Sequence, residues 1–202
     1  MRKYSKIFLF IFLLVSLISQ AQARKRDAFE IYGDIFQFLP LAAAVYTLTQ
    51  KDYEGLAQLA IGSGSVLATT FAIKYSFVGI SRNHPNWAKI SQRPDNKDSY
   101  EGFPSGHTSF AFSAAGFMQR RYGWQWGVPT TVLATLVGIS RITSKRHSVT
   151  QVIAGAILGY GVSFLVSSKL DKNINIDVDV GDQEISRGVY QNTYGLSVSY
   201  RF

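Results

Sequence analysis

The chain has 202 residues, 21 basic against 13 acidic, a formal charge of +8, and no cysteine. The missing thiols exclude a disulfide framework and a thiolate metal site. A basic balance without interleaved aromatic and basic stripes points to anionic lipid rather than nucleic acid.

Taken in chain order, the first segment carries Arg2, Lys3 and Lys6, then an apolar run over 7–18, then Ala21-Gln22-Ala23 before Arg24. That is the layout of a secretory signal peptide over 1–23, the alternative being an uncleaved anchor. Uncharged apolar stretches follow at 35–50, 55–73, 103–119, 122–140 and 148–168. Several approach the roughly 20 residues that a helix needs to cross a bilayer. The expected architecture is therefore an all-α, polytopic membrane bundle of about five transmembrane helices behind the N-terminal segment, the soluble alternative being a bundle of very apolar helices. Gly62 and Gly64 in the second stretch, and Gly155 and Gly159 in the last, are small residues that let helix backbones approach. Tyr122, Trp124 and Trp126 beside Arg120-Arg121 read as an interfacial aromatic belt, and Pro129 as a proline tolerated near a helix start. His84, in Asn83-His84-Pro85-Asn86, reads as a solvated turn.

After Lys172 the pattern changes. Ile174, Ile176, Val178 and Val180 alternate with Asn or Asp, and Tyr194, Leu196, Val198, Tyr200 and Phe202 alternate again. Both segments read as strands, so 173–202 forms a hairpin-like tail behind a main domain at 27–170.

Reactive residues cluster in three places. Arg93-Pro94 precedes Pro104-Ser105-Gly106-His107 by ten residues, and Ser140-Arg141 is followed by His147. Guanidinium forks and backbone N–H groups match the oxygens of a phosphate monoester, and Arg93, Arg141 and the Ser105-Gly106 backbone could supply them. A neutral imidazole can attack phosphorus while a second, protonated one gives its proton to the departing oxygen. Each piece alone has a bland reading: a helix entry, a turn, a basic loop at a membrane surface. Their order along one chain favours phosphoryl transfer.

This order resembles the type 2 phosphatidic acid phosphatase (PAP2) superfamily, whose signature is Lys then Arg-Pro, then Pro-Ser-Gly-His, then Ser-Arg, five residues, His, three residues, Asp. The resemblance covers roughly 30–165. It implies His147 as nucleophile, His107 as the acid that protonates the leaving alcohol, and Lys74, Arg93, Arg141 and the Ser105-Gly106 amides as phosphate holders, with no metal and no cofactor. Two departures stand out. The residue seven before Arg93 is Asn86, so the signature lysine is Lys74 or Lys89, Lys74 being preferred because it ends an apolar run. Gln151 occupies the slot of the family's aspartate; its amide oxygen can fix the tautomer of His147 but carries no charge to stabilise a positive ring.

The resemblance further implies a lipid phosphate as substrate, and counting spans from an N-terminus or anchor that leaves the 35–50 span entering from outside makes this a bacterial inner-membrane enzyme with its site toward the periplasm. The loops at 74–103 and 141–147 then meet outside, while Lys51, Arg120-Arg121 and Lys169 fall inside. Within the superfamily the chain looks most similar to lipid A 1-phosphatases. Undecaprenyl pyrophosphate, phosphatidylglycerophosphate and phosphatidic acid stay open as substrates, as does transfer to a second lipid. In a different class stands a catalytically weak lipid-phosphate-binding protein, supported by Gln151.

Overall fold

The computed structural model describes residues 27–170 and the backbone of 174–186 and 189–200. The expected signal segment at 1–23 and the terminal Phe202 lie outside the described residues. The regular elements within 27–170 are all helices: α1 Ala28–Phe36, α2 Leu39–Thr49, α3 Tyr53–Asn83, a 3-10 turn Lys89–Ser91, α4 Gly106–Tyr122, α5 Trp124–Thr143 and α6 Val149–Val166. The strands β1 Ile174–Ser186 and β2 Val189–Tyr200 pair antiparallel from Ile174 opposite Tyr200 to Ser186 opposite Val189, with an irregularity between Glu184 and Ser186.

Local chemistry sets the helix ends. Asp52 Oδ1 accepts from Gly55 N at 2.8 Å and caps α3, leaving one fewer orphan N–H at that terminus. At α6 the cap is reciprocal: Gln151 N donates to Ser148 Oγ at 3.3 Å and Ser148 N to Gln151 Oε1 at 3.2 Å, a capping box. Gly123, with φ of +85°, makes the sharp turn between α4 and α5 that a side chain would strain. Pro129 sits inside α5 rather than at its start, so the Gln125 carbonyl loses its ladder partner.

α4 is the axis of the bundle, packed against α1, α2, α3, α5 and α6. Its buried face is built from small residues, among them Ala111, Ala114, Ala115 and Gly116, with Phe117 and Met118. Serine and threonine pairs cross-link it to α3: Ser63 Oγ to Ser113 Oγ at 2.9 Å, Thr70 Oγ1 to Ser109 Oγ at 3.0 Å. Large apolar side chains instead lie outside, including Leu41, Val45, Ile61, Val132, Ile157 and Leu165. Small residues within and large apolar ones on the exterior suit a bundle surrounded by lipid.

Among the described residues, α3 and α6 are long and apolar enough to cross a membrane, and the pair α1–α2, bent by 46°, would make a third as one broken span. The expectation of five spans is not met. The stretches at 103–119 and 122–140 form helices, but α4 carries polar groups that its neighbours satisfy, so its apolarity is low because protein surrounds it. Helix boundaries also move. α3 runs 31 residues, so Lys74 lies on the helix and not at its end, and Arg141 belongs to the last turn of α5.

The expected small-residue contacts are present at Gly155, Gly159 and Gly62. A Cβ at Gly159 would stand 2.0 Å from the Ser109 carbonyl oxygen, one at Gly155 2.7 Å from Ser105 O, and one at Gly62 2.9 Å from Ser163 Oγ; at Gly64 nothing lies within 4 Å. Gly159→Ala is expected to destabilise the protein by about 1–3 kcal/mol through overpacking, read as a lower thermal midpoint in detergent. Gly64→Ala, facing open space, should leave that midpoint unchanged or slightly raised.

At the end of α4 away from His107, Arg121 is buried against Asp52, with Nε to Oδ2 at 2.8 Å and NH2 to Oδ1 at 2.6 Å. Tyr122 donates to the same carboxylate at 2.7 Å. Arg121 is thus a neutralised internal charge, and Tyr122 turns inward while Trp124 and Trp126 remain exposed.

Candidate active site

Five segments converge on one cavity of about 790 Å³ at the His107 end of α4, lined by α1, α3, the 89–103 loop, α4 and the junction of α5 with α6. Lys74, Arg93, Gly106, His107, Arg141 and His147 all line it. The other wall is apolar, with Phe38, Leu67, Phe71 and Phe110.

His147 sits between α5 and α6, 6% exposed. Its Nδ1 lies 3.0 Å from Gly102 O and 3.1 Å from Gln151 Oε1. Both neighbours are acceptors, so Nδ1 carries the proton and Nε2 keeps its lone pair. The orientation of the Gln151 amide is determined by its other contacts. Nε2 of Gln151 donates to Ile90 O at 2.9 Å and to Gln92 O at 3.0 Å, while Oε1 accepts from Ser148 N. The reversed amide would face two carbonyls with oxygen and two N–H groups with NH2.

Burial, then the charge of Lys74, hold the His147 ring down to about pKa 3, with Arg93 and His107 adding to the effect and the Gln151 hydrogen bond opposing it. The ring is neutral at physiological pH, as a nucleophile requires. The same shift has a stability consequence. The folded value lies below the ordinary 6.5, so between those values the unfolded chain binds the proton and the folded one does not. Stability is complete above about pH 6.5 and is lost as pH falls toward 3, by up to about 1.4 kcal/mol per pH unit. Thermal midpoints measured from pH 7 to 4 should fall for the parent, and less steeply for His147→Gln.

Arg141, 3% exposed, reaches across to α1: NH1 bonds Asp34 Oδ1 at 2.6 Å, NH2 bonds the Glu30 carbonyl oxygen, and Nε bonds Ser140 Oγ at 3.1 Å. His107 Nε2 stands 3.2 Å from the same Asp34 oxygen. Lys74 Nζ donates to the Glu101 carbonyl oxygen. An ionic chain closes the rim: Glu30 to Arg146 at 2.9 Å, Arg146 to Asp95 at 3.0 Å, and Asp95 to Arg93 at 3.2 Å.

Lys74 lines the cavity, whereas Lys89 is exposed on the 3-10 turn and does not. Gly106 and His107 are the first helical residues of α4, so their N–H groups have no partner within the helix and its positive end faces the cavity. Ser105 does not line the cavity; its N–H donates to Gln151 O at 2.9 Å and its hydroxyl accepts from Thr108 at 3.0 Å. That backbone bond ties α4 to α6 instead of facing a ligand. Glu30 and Asp34 escaped the sequence reading. Their one available signal is a carboxylate pair four apart just ahead of the first stretch, where they share a helix face. His84, exposed and stacked on Trp87 at 4.5 Å, stays outside the site.

A cationic end for phosphate, a neutral imidazole with a free nitrogen, a second imidazole and an apolar wall together can hold and transfer the phosphoryl group of an amphiphile. The family model for the PAP2 superfamily matches residues 55–175. The lipid A 4'-phosphatase of Helicobacter pylori is 34% identical over 172 residues, 84% of this chain and 85% of that protein. The lipid A 1-phosphatase of the same organism is 32% identical over 146 residues, 69% of this chain and 70% of that one. A PAP2-type phosphatidylglycerolphosphate phosphatase from Bacillus subtilis, seen by crystallography, is 23% identical, covers 82% of this chain and 94% of its own, and superposes with a TM-score of 0.33. The chain belongs to the PAP2 superfamily, as a membrane phosphatase acting on phosphoric monoesters.

Proposed function

We propose that this PAP2 phosphatase removes a phosphate monoester from lipid A at the periplasmic face of the inner membrane, through a phosphohistidine on His147. The observation that carries the chemistry is the Nδ1-protonated, neutral His147 ring, whose Nε2 lone pair is available in a cavity with Lys74, Arg93 and Arg141 around it. The substrate's phosphate would lie among these cations and the first N–H groups of α4, with acyl chains along Phe38, Leu67, Phe71 and Phe110.

Attack by Nε2 forms the N–P bond as the P–O bond to the sugar breaks, and the departing oxygen takes a proton from His107. Water then displaces the histidine and frees inorganic phosphate. The similarity to a 4'-phosphatase extends over more of the chain than that to a 1-phosphatase, which supports the 4' position over the 1 position suggested by the motifs.

The test is phosphate release by the detergent-purified protein in EDTA from lipid A, undecaprenyl pyrophosphate, phosphatidylglycerophosphate and phosphatidic acid. Mass spectrometry of the lipid A product distinguishes loss of the 1- from loss of the 4'-phosphate. Release from lipid A at one position, above all other substrates, supports the reading; preference for another lipid overturns the substrate, and release only with added metal overturns the mechanism.

A further inference from the structure

The family signature places its aspartate beside the nucleophilic histidine, and this chain has Gln151 there. A carboxylate is nonetheless present in the cavity, on the other histidine. Asp34 Oδ1 stands 3.2 Å from His107 Nε2 and 2.6 Å from Arg141 NH1. Asp34 belongs to α1, ahead of the residues matched by the family model.

We propose that Asp34 is the positioning carboxylate of the acid half-reaction: it holds His107 by Nε2–H and keeps that ring protonated among the surrounding cations, so that Nδ1–H is left for the leaving oxygen. The inference rests on the phosphohistidine reading above and names a further residue for it.

A general acid has to carry a proton when substrate binds, and this position works against that. Lys74 from α3, Arg93 from the loop, Arg141 from α5 and His147 all face the same cavity as His107, with Glu101 and the Glu30–Arg146 pair also lining it. Burial lowers the proton affinity of His107, the Asp34 hydrogen bond raises it, and Arg141 and Arg93 lower it further; the balance without substrate lies below the ordinary imidazole value. Asp34 is the group that acts against the loss, and the dianionic phosphate adds to it on binding. Among the described residues His107 Nδ1 has no protein partner. Holding one ring nitrogen with a carboxylate while the other exchanges a proton is the arrangement by which an acid or base is oriented.

His147 Nε2 donates its lone pair to phosphorus, the P–O bond breaks with its electrons on oxygen, and that oxygen takes the Nδ1 proton of His107. The His107 ring is left neutral with Nε2–H on Asp34. In the second half, Nδ1 takes a proton from water as its oxygen bonds phosphorus and the N–P bond breaks, which restores both rings.

The isosteric variant Asp34→Asn removes the charge and keeps the shape. With a phosphatidic acid of short acyl chains, whose alkoxide must be protonated, turnover should fall by about 100-fold. With p-nitrophenyl phosphate, whose phenolate leaves unprotonated, it should fall by less than about threefold. Loss of the Arg141 anchor alone would weaken both alike. The alkaline limb of the kcat profile should move to lower pH by about one unit, because less charge holds the His107 proton. Equal losses on both substrates, or coincident pH profiles, would overturn the proposal.

A second measurement does not depend on turnover. The chain has only three histidines, so the ring resonances of histidine-labelled protein can be assigned with His107→Gln and titrated. The His107 midpoint should be lower in Asp34→Asn than in the parent, and an unchanged midpoint overturns the proposal even if no tested lipid is a substrate. Inactivity of the parent on every phosphate would instead remove the proposed function, while the titration still decides the role of Asp34.

Discussion

His147→Ala is expected to reduce phosphate release by about 10⁴-fold or more, because no other side chain in the cavity can replace an imidazole whose free nitrogen is aimed by two acceptors. Deleting the nucleophile of a comparable covalent machine costs on the order of 10⁶ in turnover, the residue of rate coming from binding and electrostatics alone. Here the remaining cations and helix N-terminus should still bind phosphate, so the loss should appear in kcat, with KM changed far less. The parent, quenched during turnover of a radiolabelled substrate, should carry an acid-labile, alkali-stable label that the variant lacks. Turnover surviving in His147→Ala, or a label that stays, would remove His147 from the nucleophile's role. Because the ring is buried between Gly102 and Gln151, His147→Gln should be measured beside it; a variant that melts like the parent and remains inactive separates chemistry from folding.

The second large effect concerns Gln151. Restoring the family's aspartate at this position would raise activity if glutamine were a decayed catalytic residue. The contacts predict the reverse. The Gln151 Nε2 group donates to the carbonyls of Ile90 and Gln92, in a side chain that is 1% exposed. A carboxylate offers no donor to these two oxygens, and glutamate of the same length would press an anion against them. Aspartate, one methylene shorter, would abandon both carbonyls and leave its own charge buried. Each unsatisfied buried group costs about 1–3 kcal/mol, and a buried charge without a partner costs more. Gln151→Glu and Gln151→Asp are therefore both expected to lose about 3 kcal/mol or more of stability and at least about tenfold in turnover, read from thermal midpoints and initial rates. The 89–103 loop, which Gln151 ties down and which carries Arg93, should become susceptible to proteolysis. An aspartate variant more active than the parent and equally stable would show that the glutamine is a defect. That is also the observation that would revive a binding protein over an enzyme.

The positions of Gln151 and Asp34 are connected. In the family pattern a carboxylate stabilises positive charge on the nucleophilic ring. In this chain the His147 ring is held by an amide and a backbone carbonyl, both neutral, and burial keeps it unprotonated. The carboxylate instead bridges Arg141 and His107. With the roles proposed above, a carboxylate thus stands on the acid and neutral acceptors on the nucleophile.

Residue identity carried much of this in advance. Two histidines, two arginines and a Pro-Ser-Gly-His helix entry, in that order, specify what chemistry is available, since nucleophile, proton donor and phosphate ligands are properties of side-chain type. Apolar runs likewise announced helices, because lipid and protein interiors both demand satisfied backbones and uncharged surfaces. The same runs could not say which helices meet lipid. α4 lies at the centre because its serines and threonines pair with α3 and its glycine contacts bring α6 close, and those are relations between residues some forty to fifty positions apart.

The tertiary structure put Lys74, which the apolar run already favoured, on the cavity wall with Lys89 outside it, and it alone turned the Ser105 N–H toward α6 rather than the cavity, buried Arg121 on Asp52, and brought Glu30 and Asp34 onto the basic residues of the site. The physical reason is common to all of them. A motif records which groups are present along a short stretch of chain, whereas a charge takes the partner that packing brings within about 3 Å in a poorly screened interior, and nothing local in the sequence specifies that partner.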